Sequence, residues 1–316
     1  MPAWLRLLRP GDWTKNVFVL LPAVFWLSGQ GQGSAQSEIW SRVWPLVDAL
    51  ICFCLAASGS YCVNDALDAA KDRLHPIKRL RPVASGEITP GASGILGLVL
   101  QVIAVVVAFG MVNRVTGWCV LSYVLVQVLY NIRLKRMPLV DVSVLAGGFC
   151  LRAAGGAAAI DVQISVWLIL CVFFLTLFLG FTKRLCDLAA TENASAAGVE
   201  TQWKARQGYE SRDQMNWLLG VSGALVVMLY VMYTLSAHAD RLYGARSMGL
   251  ALLTPLVMIA IHRFYRRANL GLSDAPLDTL KGDRTLLATI VVFVAGTLGV
   301  LYWPPLEIML KGLLLR

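Results

Sequence analysis

Nine long apolar segments divide this sequence, and they constrain its fold more than any other feature. A helix needs about 20 mostly apolar residues to cross the hydrocarbon core of a bilayer. Of the 316 residues, 57% are hydrophobic and only 15% are charged, whereas a soluble domain carries about 25% charged residues. The candidate spans are residues 16–29, 43–63, 93–112, 117–131, 139–160, 163–182, 214–236, 247–265 and 285–303. These segments predict an all-α, polytopic membrane bundle of about nine transmembrane helices.

The connections between the spans alternate in length and charge. The long or basic ones are the N-terminal arm and residues 64–92, 132–138, 183–213 and 266–284. Because lysine and arginine are retained on the cytoplasmic side of a membrane, these connections predict one cytoplasmic face, with the N-terminus inside and the C-terminus outside. No Gly/Ser-rich or Pro-rich linker separates two parts of the chain, so residues 1–316 are predicted to form a single integral membrane domain.

The net charge of +9 also has to be explained. The basic residues that produce it lie in the connections between apolar spans. This distribution is typical of topology signals and of contacts with an anionic substrate. It does not favour nucleic-acid binding.

An acidic helix face follows the second apolar segment. Asp65, Asp68 and Asp72 are spaced i, i+3 and i+7, and on a helix they fall with Asn64 within one arc of about 100°. Three carboxylates on one face repel each other, and beside a bilayer they are costly without a counter-cation. Mg²⁺ takes oxygen ligands and typically shares a few carboxylates with substrate phosphates. We therefore predict that these four residues bind Mg²⁺ and that the three acids form the catalytic centre.

Basic residues follow the acids directly. Lys78, Arg79 and Arg81 can bind phosphate oxygens. The His75-Pro76 pair is expected to end the helix, because the residue before a proline is disfavoured in the α conformation. The chain can then turn and bring the cations back over the acids, an arrangement that indicates a diphosphate-binding site.

Other charged residues lie at or within the spans, and each can be interpreted in two ways. Lys15 either snorkels at the membrane edge or contacts substrate. Arg152 lies in the middle of an apolar run, where an arginine costs at least about 2.5–3.5 kcal/mol. It therefore needs a partner, for which Asp141 and a substrate phosphate are the candidates. Lys183 and Arg184 end a span, and phosphate contact is favoured over simple anchoring on the cytoplasmic side.

The run Asn64-Asp65-x-x-Asp68-x-x-x-Asp72, continuing to Arg81-Pro82-x-x-Ser85-Gly86, resembles the first aspartate-rich motif of the UbiA-type prenyltransferase superfamily. Members of that superfamily are nine-helix intramembrane enzymes, which agrees with the number of apolar segments. The form His75-Pro76-x-Lys78-x-x-Arg81-Pro82 resembles one branch, the polyprenyl-phosphate (decaprenyl-phosphate) phosphoribosyltransferases. Aromatic prenyltransferases tend to have an Arg-Thr pair at this place.

Further segments extend the resemblance along nearly the whole chain. They are Arg9-Pro10-x-x-Trp13-x-Lys15-Asn16, Tyr130-x-x-x-Leu134-Lys135, Asp141, Arg152-x-x-x-Gly156, Lys183-Arg184, and Pro276 with Asp283-Arg284. There are two departures. Asp187 stands where a glutamate commonly follows the Lys-Arg pair, and a second full aspartate motif is missing, since Asp187 and Glu192 are five residues apart. The missing motif favours the phosphoribosyl branch, because a different donor needs a differently shaped second site.

The resemblance implies an Mg²⁺-dependent transfer of 5-phosphoribose from phosphoribosyl diphosphate to a polyprenyl phosphate, with release of pyrophosphate. The residues predicted to bind substrate are Lys15, Asn64, Lys78, Arg79, Arg81, Tyr130, Lys135, Arg152, Lys183 and Arg184. The implied location is a bacterial inner membrane, with the active site on the cytoplasmic face. The branch also allows a homo-oligomer.

Two other functions remain open at this point. A UbiA-type prenyltransferase would ionise a prenyl diphosphate at the acidic helix and pass the prenyl group to an aromatic acceptor. A non-enzymatic lipid-binding or transport protein would bury ionisable residues at the bilayer midplane, and only Arg152 favours that function. The His75-Pro76 variant and the missing second motif favour the sugar donor over the prenyl donor.

Overall fold

The computed structural model describes residues 1–28, 36–74, 78–196, 208–272 and 276–303. Within these ranges there are thirteen α-helices and no β-strand, which confirms the predicted all-α class. The α-helices are α1 Ala3–Leu8, α2 Leu21–Ser28, α3 Gln36–Arg73, α4 Pro90–Val107, α5 Arg114–Ile132, α6 Val140–Ala159, α7 Val166–Ala196, α8 Arg212–Thr234, α9 Ala237–Tyr243, α10 Arg246–Ala251, α11 Thr254–Asn269, α12 Pro276–Gly282 and α13 Arg284–Tyr302. Three 3-10 helices cover Pro10–Val19, Lys78–Leu80 and Leu134–Arg136, and a π-helical segment, Ala108–Val112, continues α4.

Eight helical segments in the described part of the chain are long and apolar enough to cross a bilayer. They correspond to all the predicted spans except the first. The described part of that segment, residues 16–28, instead holds the end of the 3-10 helix Pro10–Val19 and the eight-residue helix α2. Pro22 lies at the start of α2 and has no N–H to donate, so it interrupts the backbone hydrogen-bond ladder there. The described residues therefore give eight spanning helices where the sequence predicted nine.

The helices group into two compact units. The first consists of Met1–Leu27, Gly33–Lys135 and Gly147–Ile164, and the second of Ser28–Gln32, Arg136–Ala146 and Ser165–Arg316. Each unit has its own buried apolar cluster. The single domain expected from the sequence stays a prediction.

In the first unit, α3 and α4 approach each other closely through a pair of glycines. A Cβ atom on Gly59 would lie 2.6 Å from the Gly97 carbonyl oxygen, and one on Gly97 would lie 2.7 Å from the Gly59 oxygen. One helical turn away, Gln101 Nε2 donates a hydrogen bond of 3.2 Å to Ser60 Oγ. Small residues and interhelical hydrogen bonds of this kind hold membrane helices together.

The length of α3 places the acidic residues at its end. Its 38 residues correspond to about 57 Å, which exceeds the hydrocarbon thickness of about 30 Å. The N-terminal helix α1 packs beside this end, because Leu7 is fully buried together with Ala69, Val83 and Ile88. The packing leaves the N-terminal arm next to the acidic face.

In the second unit, α7, α8 and α11 pack around a common apolar core, and α13 packs against α11. The fully buried side chains of this core include Phe178, Leu185, Met215, Leu219 and Leu286. Lys183 and Arg184, expected from the sequence to end a span, lie within α7, which continues to Ala196.

Candidate functional site

The last three turns of α3 carry Asn64, Asp65, Asp68 and Asp72. Asp65 and Asp72 are buried, with 2% and 5% of their surface exposed, whereas the Asp68 side chain is 29% exposed. Buried carboxylates are strongly destabilising unless cations or hydrogen-bond donors compensate them. The surroundings of this face supply three such cations.

Arg81 provides the first of them. Its Nη1 donates hydrogen bonds of 3.2 Å to Asp65 and 2.6 Å to Asp72. The chain after α3 thus returns so that a basic residue lies over the acids, as the sequence predicted for Arg81. His75 and Pro76, which were expected to end the helix, lie outside the described residues.

Lys135 provides the second. Its Nζ donates to both oxygens of Asp68, at 2.9 and 2.8 Å, and to Asn64 Oδ1 at 3.4 Å. Lys135 lies just beyond α5, and α5 is tied to α3 because Asn131 Nδ2 donates 3.4 Å to the Ser60 carbonyl. The predicted lysine and the predicted acids are therefore brought together.

Arg9 provides the third, and it is not among the site residues predicted from the sequence. Its backbone has the left-handed conformation, with φ of 50°, and it joins α1 to the 3-10 helix. Its guanidinium donates 2.6 Å to Asp65 and lies 4.7 Å from the centroid of the Tyr61 ring. The only signal in the sequence is the Arg9-Pro10 pair of the N-terminal arm, which carried the resemblance but no assigned role.

Lys15 also contacts Tyr61. Its Nζ is 2.6 Å from an Asp12 oxygen and donates 3.3 Å to Tyr61 Oη. Burial by itself lowers the pKa of Lys15, but Tyr61 and Asp12 together raise it above its ordinary value. The side chain therefore stays positively charged, close to Arg9 and the end of α3.

The remaining predicted residues of the first unit lie near the same chain segments. Lys78 and Arg79 are exposed on the 3-10 helix Lys78–Leu80. Tyr130 is half-buried in the last turn of α5. Their predicted contacts with substrate phosphates stay predictions.

Arg152 is buried in α6 and forms a separate cluster. Its Nε donates 2.6 Å to Asn16 Oδ1, and its Nη2 donates 2.8 Å to Tyr123 Oη. The guanidinium carbon lies 4.5 Å from the centroid of the Tyr123 ring and 5.0 Å from that of Phe149. Asp141, one of the two partners predicted for Arg152, pairs instead with Arg184, so that part of the prediction was wrong.

In the second unit, Asp141 is the centre of a hydrogen-bonded group. It is 1% exposed, and it accepts hydrogen bonds of 2.5 Å from Tyr209 Oη and 3.0 Å from Arg184 Nη2. Tyr209 Oη in turn accepts one of 2.7 Å from the N–H of Leu139. Burial and the bond to Asp141 raise the pKa of Tyr209 well above its ordinary value. Lys183 is exposed next to Arg184.

Tyr209 was missed from the sequence, because it lies in a polar stretch without a recognisable motif. Asp141 holds the Arg184 side chain in place, while Arg184 also lies 3.6 Å from Asp187.

The end of α3 combines oxygen donors for a cation with cations for an anion. Among the described residues, no three His, Cys, Asp or Glu side chains converge into a metal site. Asp65, Asp68 and Asp72 each contact an arginine or lysine instead. Asn64, Asp65, Asp68 and Asp72 nevertheless provide the amide and carboxylate oxygens that hard divalent cations prefer. The donor set therefore fits Mg²⁺ together with a phosphorylated ligand.

Comparisons with known proteins agree with this chemistry. The profile of the UbiA prenyltransferase family matches residues 17–280. The chain is 28% identical over 310 residues to a decaprenyl-phosphate phosphoribosyltransferase of Corynebacterium glutamicum, covering 96% of this chain and 87% of the relative. It is 29% identical over 304 residues to a protein of the same name from Mycolicibacterium smegmatis, covering 93% of this chain and 91% of the relative.

Among solved structures, the chain is similar to a UbiA homologue from Archaeoglobus fulgidus bound to DMAPP and Mg²⁺. The TM-score is 0.65 at 19% sequence identity, with 96% of this chain and 100% of the other covered. At this identity the similarity supports the fold alone.

Proposed function

This chain belongs to the UbiA prenyltransferase family, and we propose that it transfers 5-phosphoribose from phosphoribosyl diphosphate to a polyprenyl phosphate, releasing pyrophosphate. Support comes from the similarity, over more than nine-tenths of the chain, to two proteins named decaprenyl-phosphate phosphoribosyltransferase. We further propose that it acts in a bacterial inner membrane, with its active site on the cytoplasmic face.

The observation that carries the proposal is the acidic face of α3 in contact with three cations. Arg9 and Arg81 bind Asp65, and Lys135 binds Asp68. Guanidinium and ammonium groups bind phosphate oxygens with the same donors that they use for carboxylates. A diphosphate that carries its own divalent cation can therefore exchange partners with these ion pairs, without a large rearrangement of the chain.

Mg²⁺ is the proposed cofactor, and Asp65, Asp68 and Asp72 would hold it, with Asn64 assisting. When bound, it supplies positive charge to the leaving diphosphate as a Lewis acid. Arg9, Arg81 and Lys135, released from the carboxylates, then stabilise the negative charge that builds up on the diphosphate oxygens. We propose the same kind of phosphate contact for Lys15, Lys78, Arg79 and Tyr130 of the first unit and for Lys183 and Arg184 of the second.

The proposed reaction is a displacement at the anomeric carbon of the sugar. An oxygen of the polyprenyl phosphate forms the new bond to this carbon, and the bond to the diphosphate breaks with its electron pair leaving on pyrophosphate. The attacking phosphate is already ionised near neutral pH, so the reaction needs no general base. This is consistent with a cluster of acids and cations that includes no described histidine.

A transfer assay with detergent-purified protein tests the proposal. With Mg²⁺, phosphoribosyl diphosphate and polyprenyl phosphate, we expect lipid-linked phosphoribose, and EDTA should abolish its formation. Asp68→Asn should lower kcat/KM by about 100-fold or more, because it removes a charge that acts at the reacting diphosphate. Asp240→Asn, at an exposed position on α9, is the matched control and should retain activity.

Two outcomes would contradict the proposal. If the protein instead consumes a prenyl diphosphate and prenylates an aromatic acceptor, it is a prenyltransferase of the same family. If neither pair of substrates reacts, a lipid-binding or transport function becomes the better explanation.

A further inference from the structure

Arg152 is a buried cation without an acidic partner. The residue is 5% exposed and lies in the middle of the spanning helix α6. Within the described residues, its hydrogen bonds go only to neutral acceptors, Asn16 Oδ1 and Tyr123 Oη. A charge in such a place is normally paired with an opposite charge or binds a charged ligand.

The two aromatic rings beside Arg152 compensate its charge only in part. The Tyr123 and Phe149 rings lie 4.5 and 5.0 Å from the guanidinium carbon, and a cation–π contact is weaker than a buried ion pair. The third nitrogen, Nη1, donates no hydrogen bond to any part of the chain that the structure describes. The two N–H groups of Nη1, on a guanidinium that always carries its charge, therefore have no acceptor among the described residues of the first unit.

This cluster is distinct from the acidic face of α3, although both lie in the first unit. Asn16, which holds Arg152, donates 3.1 Å to Cys54 Sγ. Cys54 precedes Asp65 by eleven residues on α3, which corresponds to about 16 Å along the helix axis. One diphosphate group cannot contact both places.

A line of cations connects the two places. Arg9 and Lys15 both lie against Tyr61, which is on α3 between Cys54 and Asp65. Lys15 is also the residue before Asn16 in the sequence. Arg9 is paired with Asp65 and Lys15 with Asp12, and both cations lie between the end of α3 and Arg152. This arrangement suits a ligand with anionic groups at two separate positions, because its anionic groups can take the place of the carboxylates.

We infer that Arg152, held by Asn16 and Tyr123, binds a phosphate monoester inside the membrane-spanning part of the first unit. The inference rests on the proposed function, because each proposed substrate carries one phosphate monoester. One source is the headgroup of the polyprenyl phosphate, and the other is the 5-phosphate of the sugar donor. A monoester dianion matches a guanidinium with free donors and neutralises the buried charge.

Kinetics of Arg152→Gln separate the two sources. We expect KM for one substrate to rise by about 10- to 100-fold, as for the loss of one charged hydrogen-bonding partner, while KM for the other changes little. A rise for polyprenyl phosphate assigns the site to the lipid headgroup, and a rise for phosphoribosyl diphosphate assigns it to the sugar. Arg152→Lys should restore part of the lost affinity.

Arg42→Gln is the matched control. Arg42 also lies over an aromatic ring, 4.7 Å from the centroid of Trp26, and it donates to the Ile160 carbonyl, but it has an acidic partner in Glu38. The same substitution there should leave both KM values unchanged. If Arg152→Gln lowers kcat and the melting temperature but leaves both KM values intact, Arg152 has a structural role and the inference is overturned. The inference is also overturned if the substitution changes none of these quantities.

Ligand-induced stabilisation in detergent tests binding without turnover. Polyprenyl phosphate or phosphoribosyl diphosphate should raise the melting temperature of the wild type more than that of Arg152→Gln, and polyprenol without phosphate should raise both equally. Tyr123→Phe keeps the ring but removes the hydroxyl that orients Arg152, so it provides the same comparison if Arg152→Gln does not fold. If the wild type shows no transfer activity, the proposed function is contradicted. If the phosphorylated ligands stabilise the wild type and both variants equally, the inferred phosphate site at Arg152 is overturned.

Discussion

At the scale of single residues, the buried charges of this protein follow from pairing. Asp65 and Asp72 are tolerated because Arg9 and Arg81 contact them. Asp141 is tolerated because Arg184 and Tyr209 both donate to it. Leaving a buried carboxylate without a hydrogen-bond partner costs more free energy than an average hydrogen bond contributes. The residues that pair with these carboxylates should therefore be sensitive to substitution.

Tyr209→Phe tests this at Asp141. The change removes one hydroxyl that donates to Asp141 and accepts from Leu139, while the ring stays. We expect the free energy of unfolding to fall by about 1–3 kcal/mol, because the carboxylate loses a donor that water does not replace. Thermal unfolding in detergent measures the change, and Tyr265→Phe at a half-buried position of α11 is the control. An unchanged melting temperature for Tyr209→Phe would show that the hydrogen bond contributes nothing.

The same residue makes a prediction about pH. The pKa of Tyr209 is raised by burial and by its bond to Asp141, so the folded protein keeps this proton at a pH where an unfolded tyrosine, with a pKa of about 10, loses it. Its contribution to stability is therefore full below about pH 10 and is lost as the pH rises above that value. The difference in melting temperature between wild type and Tyr209→Phe should shrink from pH 8.5 to pH 11. A constant difference would contradict the raised pKa.

At the scale of helices, close approach in the first unit depends on positions without a side chain. A Cβ atom on Gly156 of α6 would overlap the carbonyl group of Val19, at the end of the 3-10 helix that carries Lys15 and Asn16. A Cβ atom on Gly147, earlier on the same helix, would meet no atom within 4 Å. The two glycines therefore differ in what a methyl group would do.

Gly156→Ala should destabilise the protein and Gly147→Ala should not. Because the neighbour of Gly156 is backbone and cannot rotate away, we expect a loss of about 1–3 kcal/mol in the free energy of unfolding. At Gly147 the higher helix propensity of alanine should leave stability equal or slightly raised. Thermal unfolding of the two variants side by side measures both effects. Similar melting temperatures for the pair would contradict the packing described for Gly156.

At the scale of the whole molecule, the chain is an integral membrane protein of the UbiA family, and the acids proposed to bind Mg²⁺ lie near the C-terminal end of α3. The basic connections that carry Lys78 and Glu210 are expected on the cytoplasmic side, and the short connection that carries Asp240 on the opposite side. All three residues are exposed. Sidedness is thus a property that can be measured at single positions.

Cysteine labelling tests this topology. Lys78→Cys and Glu210→Cys should react with a membrane-impermeant maleimide only after the membrane is opened, whereas Asp240→Cys should react in intact cells. The seven native cysteines are replaced beforehand, with transfer activity as the check on folding. Labelling of Lys78→Cys in intact cells would place the acidic end of α3 on the other side of the membrane and contradict the predicted orientation.

Much of this molecule follows from local rules that a sequence displays directly. Apolar length determines which segments can span a bilayer, and helical spacing puts Asn64, Asp65, Asp68 and Asp72 on one face, since both depend only on residues that are neighbours in the chain. Pro22 shows the limit of this reasoning, because the apolar run that begins at residue 16 is divided between the 3-10 helix Pro10–Val19 and the short helix α2.

The choice of partners follows different physics. Arg9 contacts Asp65 across 56 residues of sequence, Tyr209 contacts Asp141 across 68, and Arg152 contacts Asn16 across 136. Such pairs depend on how helices pack and on which buried charge lies within reach of which donor. That information is absent from local patterns, because the free energy of a buried charge is set by all the groups that the folded chain brings around it.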